Sequence, residues 1–277
     1  MRVSWAVIAG FGLIALAGPV LVPDDQVSLI KATGPLLSPP SLHFPLGTDE
    51  NGLSVLALAV RGTRLSLTVG LSATLIAITI ATVVGVSAGH LGGRPAAALV
   101  RVNEWFLVLP QLPFATALAA VLRPGAASIA LAIAVTSWAP AARTIQAAVH
   151  SFESLPYLDP VRALGGGHWH QLRRQVIPAV SPVILANALL IGANAILAES
   201  AMSFLGLGDP GQLSWGRMLQ QAAASGAVTA GAWWYLLVPG AAIMAVVLAF
   251  GAAARERESA FESDVRRPSP SAILGRD

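Results

Sequence analysis

Cysteine is absent from the 277-residue chain, which excludes disulfides, thiolate metal sites and cysteine nucleophiles and leaves the compartment open. Lysine occurs once, at Lys31. A loop that cradles ATP phosphates ends in Gly-Lys-Ser/Thr, because the lysine must reach the terminal phosphates. Lys31 is followed by Ala32, so the chain holds no such loop. Zinc-protease and nucleophile-elbow patterns are missing too. His168 and His170 stand two apart, point to different faces of a helix, and read as solvated residues rather than a metal pair. Charge is also scarce: 11% of residues are charged, against about a quarter in soluble domains. With 55% hydrophobic residues and a mean hydropathy of +0.68, the composition implies lipid as the main solvent. The sequence pI near 10.2 accompanies a net charge of only +3. Its arginines are scattered without a basic stripe or stacking aromatics, which argues against nucleic acid as a partner.

What is present is a series of bilayer-length apolar runs. They cover Val3 to Pro23, Leu65 to about Gly89, Ala96 to Leu122, Ala126 to Val149, Val180 to Gly208 and Trp233 to Ala254. The third is interrupted by Arg101, Glu104, Pro110 and Pro113. It is kept as a span because neighbouring helices can satisfy carbonyls freed by proline. The first run contains Ala15-Leu16-Ala17, which resembles a signal-peptide cleavage site, but its apolar stretch exceeds the usual h-region and favours an anchor. The expectation is an all-α integral membrane protein with six transmembrane helices. Placing the N-terminus inside puts twelve basic residues at cytoplasmic positions and five, Lys31, Arg61, Arg64, Arg123 and Arg217, outside. That bias predicts both termini in the cytoplasm. The resulting organisation is a first helix over 1–23, an external segment over 24–60, a five-helix core over 61–254 and a cytoplasmic tail over 255–277. The tail is charged and Pro/Ser-containing, which predicts a solvated, partly disordered segment. Trp233, Trp234 and Tyr235 read as interfacial anchors of the sixth helix.

Between the fourth and fifth runs, 151–178 is too polar to span lipid. Asp159-Pro160 is a helix-start signal, since aspartate accepts from free N–H groups and proline fits the first helical position. Val161, Arg162, Ala163 and Leu164 continue a short helix that Gly165-Gly166-Gly167 ends. A second short segment runs from His168 to Val176 before Pro178. Two short helices around a glycine corner suit docking to a soluble partner, with an amphipathic connector on the membrane surface as the lesser alternative.

The stretch Tyr157 to Gly165, with Pro178 thirteen residues on, resembles the Glu-Ala-Ala coupling loop of bacterial ABC importer permeases. Gly165 and Pro178 stand at the family's offsets, whereas Asp159, Pro160 and Val161 replace Glu-Ala-Ala. Leu46-Gly47-Thr48-Asp49-Glu50-Asn51-Gly52, Arg64 to Gly70, Gly92-Gly93, Ala195 to Gly208 and Ser214 to Leu219 are similar, in the same order, to dipeptide, oligopeptide and nickel permeases. They correspond to the second permease type of the heterodimer. The resemblance implies a type I ABC importer permease fold with a cytoplasmic coupling helix. It also implies a second homologous permease, two ATP-binding cassette subunits that bind the ATP, and an extracytoplasmic substrate-binding protein. No cofactor is expected in this chain. The implied ATPase-coupling residues are Asp159, Pro160, Val161, Arg162, Ala163, Leu164, Gly165 and Pro178.

Within the membrane, Glu199 is the notable acid, because an intramembrane carboxylate usually faces a partner or water. It reads either as a pathway or proton-relay group or as a buried structural acid near the outer interface; the outer loop begins about ten residues later and favours the second. Asn187 and Asn194, seven apart, share a helix face and would line the path or bond across helices. Gly85 and Gly89 form a small-xxx-small pattern for close helix approach, within the bundle or against a partner. A secondary transporter using Glu199 and a membrane scaffold without transport are the competing functions.

Overall fold

The computed structural model describes residues 2–23, 27, 32, 34–154 and 167–266. Helix α1, Arg2–Leu21, is an apolar rod packed on the rest along one side. Helix α2, Val55–His90, is the central element, and α3, Gly93–Val108, and α4, Gln111–Val121, follow it. Helix α5, Ala126–Glu153, runs back along α2. A turn at His168–Gln171 and a π-helical turn at Leu172–Val176 lead into α6, Ile177–Phe204. Helix α7, Trp215–Ala224, and the long α8, Trp233–Arg266, complete the described chain. Among the described residues five helices are long and apolar enough to cross a bilayer, and the α3–α4 pair makes a sixth if it counts as one broken span.

That pair departs from the single third helix read from the sequence. The two helices meet at 90° around Leu109–Pro110. Proline has no N–H to donate and its ring pushes the preceding residue out of the helical region. Leu109 is accordingly extended, with φ −71° and ψ 130°. Other boundaries move for local reasons as well. Helix α2 starts ten residues earlier than its apolar run, because the Ser54 side chain caps it by accepting from the Ala57 N–H at 3.4 Å. Arg61 and Arg64 therefore belong to the helix. Helix α8 continues through Arg266, so the first part of the tail, expected to be solvated and partly disordered, is helical. Residues 267–277 lie outside the described residues.

Small residues set the closeness of the bundle. A Cβ on Gly85 would sit 2.6 Å from the Ala142 carbonyl oxygen, and one on Gly89 2.7 Å from Cβ of Val149. The glycine pair thus serves α2–α5 packing inside the chain. Ala73, Ala77 and Ala81 continue this buried stripe of α2, met by Ala132, Ala134, Ala141 and Ala142 of α5. Gly70 faces Ile196 and Gly192 faces Phe250 with similarly little room. Without a hydrophobic drive between helices in lipid, such backbone approach supplies the van der Waals contact that holds them.

The helix directions define two ends. At one end Ser4 donates to Glu256 at 3.2 Å and the Arg257 guanidinium lies 5.6 Å from the Trp5 ring centre, joining the start of α1 to α8. The His90 ring pairs with the Glu153 carboxylate, joining the ends of α2 and α5. At the opposite end the turn before α2 meets the start of α8: the Trp234 indole N–H donates to the Thr48 carbonyl at 3.2 Å. Trp234 and Tyr235 are buried there, and only Trp233 is exposed. Of the three expected interfacial anchors, two are core residues because α8 enters beneath the folded 34–54 turn rather than alongside lipid.

Candidate functional site

The connection between α5 and α6 carries the expected coupling residues. Asp159, Pro160, Val161, Arg162, Ala163, Leu164 and Gly165 lie outside the described residues. Pro178 is described and exposed, in the first turn of α6. Both flanks of the connection are fixed. Upstream, Glu153 is tied to His90, whose side chain is almost fully enclosed. Downstream, Val176 is buried in the same cluster as Val86, Ile145, Val149 and Val180. The connection thus leaves and re-enters the bundle at the end that also holds the start of α1. His170 is exposed, and among the described residues no group of acids and histidines is arranged to hold a metal.

The motif Leu46–Gly52 builds the other end. Gly47 and Gly52 take φ values of +73° and +78°, which glycine adopts without strain. Thr48 donates to the Pro35 carbonyl at 2.6 Å and accepts from the Ser38 N–H at 2.8 Å. Asp49 is buried and its Oδ1 accepts from the N–H groups of Asn51 and Leu53 at 2.9 and 2.7 Å. Burial raises its pKa above the ordinary carboxyl value, partly countered by those two N–H donors. These residues form a rigid turn that aims α2 and receives Trp234.

Glu199 lies near the same end and is 1% exposed. Ser203 donates to its Oε1 at 2.8 Å and Ser200 to its Oε2 at 3.3 Å. The hydroxyls of Ser66 on α2 and Ser214 before α7 face the same carboxyl group. Each of those two serines also accepts a backbone N–H: Ser66 from Trp215 at 3.1 Å, Ser214 from Arg217 at 3.3 Å. The carboxyl group therefore gathers α2, α6 and the N-cap of α7 into one polar knot. Trp215 secures it further by donating its indole N–H to the Ala59 carbonyl at 3.0 Å. Gly216 lets α7 lie against α6, since a Cβ there would overlap the Ser200 carbonyl oxygen and stand 2.7 Å from its Cα.

The two asparagines do not share one environment. Asn187 is buried and its amide donates to the Val183 carbonyl of its own helix at 2.9 Å. Asn194 is exposed on the outside of the chain. The sequence reading missed α7, the serines around Glu199 and the His90–Glu153 pair. Ser214, an N-cap residue ahead of Trp215, was the available signal for α7.

Residues 81–260 match the model of the binding-protein-dependent transport system inner membrane component. The chain belongs to this family. It is 34% identical over 242 residues to the di/tripeptide transport system permease protein DppC of Pseudomonas aeruginosa, covering 85% of this chain and 78% of that one. It is 33% identical over 223 residues to the nickel transport system permease protein NikC of Escherichia coli K12, covering 80% of each. With the glutathione transport system permease protein GsiD of Pectobacterium atrosepticum it shares 31% over 257 residues, 90% of this chain and 84% of the relative. The chain is accordingly a multi-pass inner-membrane permease subunit of an ABC-type import system.

Proposed function

We propose that this chain is one of two homologous permeases forming the path of an ATP-driven importer for short peptides. Two ATP-binding cassette subunits drive it from the cytoplasm, and an external binding protein delivers the substrate. The observation that carries the peptide reading is the likeness to the di/tripeptide permease over 85% of the chain. The chain itself does no catalysis; its part is to convert the motor's closure into helix movement.

In this reading the α5–α6 connection is the coupling loop, with Asp159, Pro160, Val161, Arg162, Ala163, Leu164, Gly165 and Pro178 as its contact residues. ATP moves the permease only if it favours one conformation differentially, so the loop needs firm anchorage rather than a slack tether. The His90–Glu153 pair and buried Val176 supply it. The end with the start of α1 is then cytoplasmic, in line with the arginine bias. Asn194, an exposed amide within a span, is placed on the path or the partner-facing surface, because an amide turned to hydrocarbon is costly. Asn187 and Glu199 serve packing. Nothing supports a proton-coupled carrier.

The test is reconstitution of the four-subunit complex with its binding protein in vesicles. Uptake of a labelled dipeptide is expected only with ATP and all components, and this chain alone should hydrolyse no ATP. Proton-driven uptake by the chain alone would overturn the reading. Replacing Gly165 with tryptophan is expected to abolish uptake while ATPase docking is lost or hydrolysis runs uncoupled; unchanged assembly and transport would remove the loop's proposed role.

A further inference from the structure

The end of the bundle that holds Asp49 also holds a cavity of about 750 Å³, walled by the outer turns of α2, the 49–53 turn and the 210–221 segment. That size lies within the range of small-ligand sites. Its described lining includes Arg64, Arg217 and Gln221, with Asp49 as the acid among them; Arg61 borders it too but is engaged by a partner of its own. Asp49 is turned to its own backbone N–H groups. The neighbouring Asp209 is likewise taken up locally, accepting from the Gly211 N–H at 2.9 Å and the Gln212 amide at 3.0 Å. Arg64 lines this space from α2, one turn after Arg61. Arg217 enters from α7, braced by one N–H to the Asp209 carbonyl at 3.4 Å. Among the described residues nothing pairs with the Arg64 guanidinium. Planar guanidinium forks converging on a concave space match the two oxygens of a carboxylate better than a spherical anion.

The geometry points to a carboxylate-binding site in this cavity, one that takes the terminal carboxylate of a short peptide before it enters the membrane. The inference rests on the peptide-importer reading for its ligand and on the cavity for its chemistry. Leu53, Leu58 and Leu65 in the same wall offer apolar surface to the peptide's side chains. Binding here would orient the peptide carboxylate-first along α2 and disfavour substrates whose C-terminus is blocked.

The test uses the full chain in phosphatidylcholine nanodiscs, without ATPases or binding protein. Arginines are modified with a phenylglyoxal reagent and read residue by residue by mass spectrometry, with dialanine, dialanine amide or no ligand present. Dialanine at ten times its half-protecting concentration should slow modification of Arg64 and Arg217 roughly tenfold, as simple occupancy requires. Exposed Arg123 should be unaffected, and the amide should protect at least tenfold less well. Equal protection by the amide, or protection of Arg123 to the same degree, overturns the proposal. Protection that appears without peptide when phosphatidylglycerol is added identifies a lipid headgroup site and also overturns it. So does protection that needs the binding protein and not the peptide, which marks a protein-docking surface. In the reconstituted complex, Arg64→Gln with Arg217→Gln should lower the preference for dialanine over its amide at least tenfold while assembly persists; an unchanged preference counts against the site. Failure of ATP-driven uptake with protection intact would remove the importer reading and leave the carboxylate site standing.

Discussion

Replacing Glu199 separates a structural knot from a working carboxylate. The side chain accepts hydroxyl donors at 2.8 and 3.3 Å and is enclosed. Hydrogen bonds to a charged group contribute about 1.5–3 kcal/mol each. Polar contacts between membrane helices measured by double-mutant cycles average nearer about 0.6 kcal/mol. Four serine hydroxyls around one carboxyl group therefore set a lower bound of about 2 kcal/mol for Glu199→Ala by the second figure. The 2.8 Å bond from Ser203 alone sets about 1.5–3 kcal/mol by the first, and the longer 3.3 Å bond from Ser200 adds less, before the relief of desolvation is returned. A loss of about 3 kcal/mol is the working value. Glu199→Gln keeps the shape and one oxygen acceptor, and serine hydroxyls can turn to accept from its amide, so a loss of about 1 kcal/mol is expected. The assay is SDS titration of the chain in mixed micelles followed by circular dichroism, with protease cleavage in 209–214 as the local readout. Alanine should loosen that segment and glutamine should largely preserve it. Because α7 is held to α6 through the Ser214 cap, cleavage should rise before the helices unfold. An alanine variant as stable as the parent would refute the knot. A glutamine variant of full stability with no uptake would show that the charge itself is used.

Further outcomes follow at Gly216, Asp49 and Gly85. Gly216→Ala drives a Cβ into the Ser200 backbone, where neither helix can yield by a rotamer change. The expected cost is about 3 kcal/mol, at the upper end of overpacking, against none for Gly12→Ala, which lies inside α1 with no atom within 4 Å of the added group and where alanine is the better helix former; thermal unfolding of the two variants compares them. Asp49→Ala orphans the N–H groups of Asn51 and Leu53, and a loss of about 1–3 kcal/mol is expected in the same assay. Asp49→Asn retains the acceptor and should cost under about 1 kcal/mol. Asp49 also predicts a pH dependence: its folded pKa is raised, so its favourable contribution is present at acid pH and is lost as pH rises through that raised value. Stability of the asparagine variant relative to the parent should therefore increase from acid to neutral pH, and a decrease would contradict the burial argument. Gly85→Leu should separate α2 from α5 and prevent folding into the membrane, measured as loss of the monodisperse species on size exclusion.

Periodicity and hydropathy reached the spans because lipid imposes length and apolarity on any helix that crosses it. They reached less of the ends, where the decisive groups are single atoms. Ser54 starts α2 ten residues before the apolar run, and only a hydroxyl facing a free N–H distinguishes it from any other serine. Pro110 was visible as an interruption, yet whether a proline kinks a span or breaks it through 90° depends on what packs beside it. Trp234 and Tyr235 read as anchors by composition and are buried because a loop nearly two hundred residues earlier folds over them. Asn187 and Asn194 share a helical face by spacing but not an environment, since one bonds to its own helix and the other looks outward.

Glu199 shows why a membrane acid is ambiguous in sequence. Its cost in lipid marks it for either function or structure, and four serines from three segments decide which set of donors it meets. The arginines of the cavity pose the converse problem. Arg61, Arg64 and Arg217 enter the sequence reading as outside charges in a topology count, spread over more than 150 positions. Once α7 lies across α2 through Trp215 and Ser66, they border one space. The same knot that buries Glu199 therefore sets the separation of Arg217 from Arg64. Loosening it with Glu199→Ala should weaken dialanine protection of both arginines without touching either, whereas Glu199→Gln should leave protection intact. Equal protection in the alanine variant would show that the cavity and the knot are independent.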